Sequence, residues 1–151
     1  VNVAIIGCGV RGSIVAALLA GAGVEELSLV DGAFVEEGDI GVSPLQFSPD
    51  LRAGKADALV AKLGLINPGV HAQAFPADLD GANAVAILTG ADVVVDCAGV
   101  GEVSEAVELA STEIGIVVVA APVGYLRDEV EPAEAVSVGA LQAHEVLGHR
   151  G

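Results

Sequence analysis

Short apolar runs recur along this chain, each closed by a glycine, proline or acidic residue and followed by a longer stretch with helical spacing. Runs this short and nearly continuous are those of strands buried on both faces, and the intervening stretches are long enough for crossover helices. The pattern predicts strands over 2–6, 27–31, 70–75, 92–97 and 114–121. It predicts helices over 12–22, 54–63, 81–88, 103–111 and 138–147. Strict alternation of this kind implies an α/β fold: a doubly wound, mostly parallel, Rossmann-like sheet with helices on both faces, in one domain over 1–151. Asn67-Pro68-Gly69 forms a turn between the second helix and third strand. The longest irregular stretch, 32–50, leaves the end of the second strand, where a connection of such length is usually functional.

The turn between the first strand and first helix reads Gly7-Cys8-Gly9-Val10-Arg11-Gly12. In such a loop Gly7 permits the tight turn, Gly9 lets backbone approach a phosphate, and Gly12 lets helix and strand pack closely. The N–H groups of the first helical turn, with the helix dipole behind them, favour an anion. The second strand ends at Asp31, where a carboxylate can grip a ribose hydroxyl. These spacings together predict a nucleotide site.

Hydrophobic residues make up 53% of the sequence, with three Phe, one Tyr and no Trp, so the core is expected to be aliphatic. Six Lys plus Arg against 21 Asp plus Glu leave a net charge of −15. That balance excludes nucleic acid and anionic membrane as expected partners, since both require clustered cations. Three of the six cations, Arg11, Arg52 and Lys55, fall in segments expected around the ligand. No apolar stretch is long enough to span a membrane and no secretory leader is visible, so a soluble cytoplasmic protein is expected. Cys8 and Cys97 read as small buried residues, and no Cys or His pair has zinc-ligand spacing. The first helix, read from Ser13 to Ala22, carries no charge, which predicts either embedding on several sides or a subunit contact in an oligomer.

In this order the motifs resemble the ThiF/MoeB/HesA group, relatives of the ubiquitin-activating enzymes. The resemblance runs through Ile5-Ile6-Gly7-Cys8-Gly9, Gly12-Ser13, Ala22-Gly23-Val24 and Leu27-Ser28-Leu29-Val30-Asp31. It continues through Gly54-Lys55-Ala56, Ile66-Asn67-Pro68, Ala91-Asp92-Val93-Val94-Val95-Asp96 and the closing Gly139-Ala140-Leu141-Gln142-Ala143-His144-Glu145. It implies a protein that binds ATP with Mg²⁺ and adenylates the C-terminal glycine carboxylate of a small ubiquitin-like carrier protein or peptide. On that analogy the Gly7, Gly9 and Gly12 backbone carries phosphate, Asp31 holds ribose, and Lys55 neutralises the triphosphate. Arg11 or Arg52 stands in for a missing phosphate-gripping arginine, and Asp39 or Asp96 for a missing metal-holding aspartate.

The departures are specific. Where the family has an Asp-x-Asp after the second strand, the second position is Ala33. The loop arginine is replaced by Val42, and the Asp-Asn pair after the fourth strand by Gly99-Val100. Only 122–137 separates the fifth strand from the closing helix, where the family carries a long substrate-binding segment. Three readings stay open: an ATP-dependent adenylyltransferase, a non-catalytic nucleotide-binding or scaffold member of the group, and a NAD-dependent oxidoreductase domain. Against the third, His71, His144 and His149 fall in a strand, the closing helix and the tail rather than beside the loop.

Overall fold

A computed structural model describes residues 1–99, 101–120 and 142–148. Five strands, β1 (Asn2–Ile6), β2 (Glu26–Val30), β3 (His71–Phe75), β4 (Val93–Asp96) and β5 (Val117–Ala120), form one sheet in the order β3-β2-β1-β4-β5. Every pairing is parallel, and Ile6 stands level with Val30 on one side and Asp96 on the other. The loops that leave β1, β2 and β4 therefore start at one height.

Side chains of β1 alternate between two buried layers. Val3 and Ile5 face α1 (Val10–Gly21) and α2 (Lys55–Ile66), packing with Val15, Leu19, Leu59 and Leu63. Ala4 and Ile6 face α3 (Ala84–Leu88) and α4 (Glu102–Ile114), packing with Leu88, Ala106, Val107 and Ala110. Burial on both faces is why these strands read as continuous apolar runs. A closing helix over 142–148 adds Ala143 and Val146 to the first layer. The Rossmann-type, doubly wound architecture is the one expected.

Two helices, α1 and α4, differ from expectation. α1 begins at Val10, because Gly9 is extended and its carbonyl already accepts the first helical bond, from Ser13 N–H at 3.0 Å. The helix therefore does carry a charge, Arg11. α1 is also buried along one face only, leaving Leu18 45% exposed, so it is not embedded on all sides. Ile114, expected to start the fifth strand, instead ends α4. Gly115 stops that helix in the left-handed conformation (φ 73°), and Ile114 packs back onto the helix layer. The 122–137 connection, residues 138–141 of the closing helix, Val100 and His149 lie outside the described residues.

Residues 32–54 form an ordered bridge rather than a loose loop. Two short 3-10 turns (Glu37–Asp39 and Ser48–Asp50) and a bridge between Phe34 and Gly54 return the chain to α2. Val35, Ser43 and Gln46 are buried. Among the described residues, no helix is long and apolar enough to cross a membrane.

Candidate functional site

Hydrogen bonds beyond the strand ends fix the geometry. Gly7 N–H donates to Val30 O at 2.8 Å, Cys97 N–H to Ile6 O at 2.8 Å, and Asp31 N–H to Phe75 O at 3.2 Å. The sheet ladder thus continues into the loops that will form the site. At the carboxyl ends of the strands lies a cavity of about 280 Å³, at the small end of the ~300–1,000 Å³ usual for ligand pockets. Gly7, Gly9, Asp31, Lys55, Asp78 and Val103 are among the residues that line it.

The glycine loop closes on itself. A Cβ on Gly12 would overlap the Gly7 carbonyl oxygen, so the first turn of α1 presses directly on the end of β1. Nothing lies within 4 Å of where a Gly9 Cβ would stand, so Gly9 opens to the cavity while Gly12 is buried behind it. The N–H groups of residues 9–12 have no backbone acceptor and are free for an anion.

Asp31 is oriented by two backbone bonds: its Oδ2 accepts Cys8 N–H and its Oδ1 accepts Ala33 N–H, each at 2.8 Å. A carboxylate has about four lone-pair sites, so acceptor capacity remains for a ligand hydroxyl. Lys55 opens α2 behind Gly54, and its Nζ donates to Asp39 Oδ1 at 3.1 Å. Asp39 is fixed in turn by Glu36 N–H, which donates to its Oδ2 at 2.8 Å.

Four of the expected residues, Gly7, Gly9, Asp31 and Lys55, therefore meet at one cavity, and Gly12 supports it from behind. Three do not line it. Arg11 reaches across to the loop after β4, where its Nη2 donates to Cys97 O at 3.2 Å and its Nη1 is buried without a hydrogen-bond partner. Arg52 is exposed at the far end of the 32–54 bridge, with its backbone at φ 69°. Asp96 points to the α4 face, as its register with Ile6 requires, and lines a separate cavity with Gly99, Ser104 and Glu108. Its Oδ1 accepts Ala98 N–H at 2.9 Å, the bond of a strand-end turn.

Two contributions had no signal in the sequence pattern. Gln46 donates from Nε2 to Cys8 O at 2.9 Å, and the Ser43 and Ser13 hydroxyls lie 3.4 Å apart, so the 32–54 bridge braces the glycine loop from outside. The other is Asp78, just beyond β3, a second carboxylate at the cavity. Gln142 of the closing helix donates to Asp96 O at 2.8 Å and ties that helix to the end of β4.

Both thiols are buried, as expected. Burial, with Asp31 and Cys97 nearby, pushes the Cys8 thiol well above its ordinary value; burial chiefly pushes the Cys97 thiol up to about 12. The thiolate is the nucleophile, so both cysteines are held in the inert form. Iodoacetamide at about pH 8 is accordingly expected to leave both unmodified in the folded protein and to alkylate both after unfolding, with mass spectrometry as the readout. Modification of either thiol in the folded state would show that it is reactive.

A parallel sheet in this order, with a glycine-rich turn and a strand-end aspartate at its switch point, defines a Rossmann-type domain with a crevice for a ligand at the carboxyl ends of its strands. The particular kind follows from comparison with known sequences: the chain belongs to the ThiF family, which matches residues 1–125. It is 33% identical over 96 residues to the adenylyltransferase and sulfurtransferase UBA4 of Eremothecium gossypii, covering 64% of this chain and 22% of that protein. It is 36% identical over 95 residues to mouse MOCS3, of the same description, covering 63% and 21%. With the SAMP-activating enzyme E1 of Haloferax volcanii it shares 32% over 95 residues, covering 63% and 35%. The chain thus spans between 21% and 35% of the length of these relatives. Among solved structures, E. coli MccB with ATP superposes with a TM-score of 0.85 at 16% identity, over 96% of this chain and 54% of that one. The E. coli tRNA N6-threonylcarbamoyladenosine dehydratase TcdA with ATP does so at 0.75 and 19%, over 84% and 53%.

Proposed function

We propose that this chain is the ATP-binding part of an adenylyltransferase that activates the C-terminal carboxylate of a small ubiquitin-like carrier protein or peptide. The observation that carries this reading is the convergence of the glycine-loop amides, Asp31 and Lys55 on one cavity. Asp31 holds the ribose, the amides of the α1 turn take phosphate oxygens, and the Lys55 ammonium leaves Asp39 for the triphosphate. The carrier carboxylate oxygen attacks the α-phosphorus, the bond to the bridging oxygen breaks, and pyrophosphate departs with the electron pair. Relatives bearing adenylyltransferase and activating-enzyme names, and neighbours crystallised with ATP, support the assignment.

Mg²⁺ fits this site only as a companion of the nucleotide. No group of three or more His, Cys, Asp or Glu among the described residues is arranged to hold a metal. An ion would be carried by the phosphates with one or two carboxylates at most. An oligomer is proposed from apolar exposure: Leu18 of α1 and Leu65 and Ile66 of α2 stand uncovered, and Asn67 Nδ2, just past α2, donates to Ala20 O of α1 at 2.9 Å and holds the two helix ends together.

A second reading, a non-catalytic member of the family, is favoured by one observation. Val42 stands 44% exposed where the resemblance calls for arginine, and no carboxylate occupies position 99. Exchange of labelled pyrophosphate into ATP, with Mg²⁺ and candidate carrier proteins, separates the two. Exchange supports the first reading and excludes the second. Calorimetric ATP binding with no exchange under any condition supports the second and removes the first.

A further inference from the structure

Resting on the assignment of ATP to this cavity, we propose that the Arg11 guanidinium is the counter-ion of the phosphates on the β4 side of the glycine loop, so that ATP binds without a divalent cation. In the sheet β1 lies between β2 and β4, so its glycine loop is flanked by the loops that leave those two strands. Each flank holds one cation. Lys55 is fixed beside the stretch after β2, its backbone N–H donating to Ala33 O at 2.9 Å. Arg11 is fixed beside the loop after β4, its Nη2 donating to Cys97 O at 3.2 Å, and Cys97 and Ala98 line the cavity. A phosphate on the free amides of the α1 turn, one of which is Arg11's own, therefore has a cation on either side.

Arg11 lacks a partner that matches its charge. A guanidinium carries five N–H donors. Among the described residues the long bond to Cys97 O is the side chain's one hydrogen bond, and Nη1 is buried with none. Neither ion pair among those residues includes it, since Lys55 pairs with Asp39 and Lys62 with Asp50. A buried charged donor left unpaired is costly, and the planar fork of a guanidinium matches the oxygens of a phosphate. The side chain has room to turn toward one: Gly99 bears no side chain, and a Cβ there would already stand 3.4 Å from Nη2. The same placement disfavours a metal ion. A positive charge already occupies this flank, position 99 offers no carboxylate, and no group of three or more His, Cys, Asp or Glu among the described residues is arranged to hold an ion. Mg²⁺ arriving with the nucleotide on this side would be repelled by Arg11 with little to offset it.

Calorimetry of ATP binding in EDTA and in Mg²⁺ tests this. The unaltered protein is expected to bind ATP with affinities within about threefold of each other in the two conditions. Arg11→Gln removes the charge and keeps a polar amide. It is expected to weaken ATP about 30-fold in EDTA and only about threefold in Mg²⁺, where the ion supplies the missing charge. Adenosine, which has no phosphate, should bind both proteins alike. Arg11→Lys restores the charge and is expected to bring ATP binding in EDTA back to within about fivefold of the unaltered protein. A tenfold or greater preference of the unaltered protein for Mg²⁺, unchanged ATP binding by Arg11→Gln in EDTA, or equal losses of ATP and adenosine would each overturn the role of Arg11 and leave the ATP assignment standing. Failure of the unaltered protein to bind ATP in either condition would overturn both.

Discussion

Replacing Gly12 with alanine is expected to destabilise the protein by about 3 kcal/mol or more, whereas alanine at Gly9 leaves stability within about 0.5 kcal/mol. The two glycines are three residues apart in one loop. Their surroundings are opposite. A methyl group at Gly12 would lie on the Gly7 carbonyl oxygen and 2.8 Å from its carbon, and both are backbone atoms. Gly7 cannot retreat, because its N–H is bonded to Val30 O at 2.8 Å and its α-carbon already faces Cys97 and Ala98 backbone. Relief therefore requires moving α1 off the sheet, with loss of packing for Val15 and Leu19. At roughly 2–4 °C per kcal/mol for a domain of this size, thermal unfolding should fall by about 10 °C. Gly9 is extended at φ −77° with open space around it, so alanine folds there. Its methyl would instead stand in the cavity and crowd the phosphate, weakening ATP without shifting the melt. Equal melting temperatures for the two variants would refute this division of labour.

Much of that division was open to reading from the chain. The glycine spacing, the strand-end aspartate and Lys55 are local patterns, and parallel strands buried on both faces announce themselves as apolar runs. The same burial hid other things. Val93-Val94-Val95 carries no alternation, so sequence alone did not reveal that Asp96 falls on the α4 face rather than over the glycine loop. Ile114 looks like strand because its apolar neighbours are strand, yet Gly115 ends a helix there. Ser43 and Gln46 sit in a stretch without periodicity, and only the fold of 32–54 turns them toward Ser13 and Cys8. Arg52 is near the ligand in sequence and away from it in space, because the bridge between Phe34 and Gly54 leaves it on the outer bend. Asp78 belongs to no motif, and its place depends on the adjacency of β2 and β3, a long-range property.

Asp31→Ala should have the largest effect on binding, because one carboxylate supports both the loop and the ligand. Its Oδ2 receives Cys8 N–H from inside the glycine turn, and its Oδ1 receives Ala33 N–H at the start of the 32–54 bridge. Hydrogen bonds to a charged group are worth about 1.5–3 kcal/mol each, and partial exposure here puts these at the lower end. Alanine removes both bonds and the ribose contact, so ATP affinity is expected to fall about 100-fold, with about 3 kcal/mol of stability lost. Asparagine separates the two roles. Its carboxamide oxygen can keep one backbone bond, so the fold should recover most of its stability, while ribose loses a charged acceptor and affinity stays at least about tenfold down. The ribose contact has its own signature: ATP should bind about tenfold better than its 2′,3′-dideoxy analogue in the unaltered protein, and the two should bind alike in Asp31→Ala. Calorimetry and urea unfolding measure the two quantities independently. If Asp31→Ala bound ATP as well as the unaltered protein, with the dideoxy discrimination intact, Asp31 would be a turn residue only and the ribose would have to be held elsewhere.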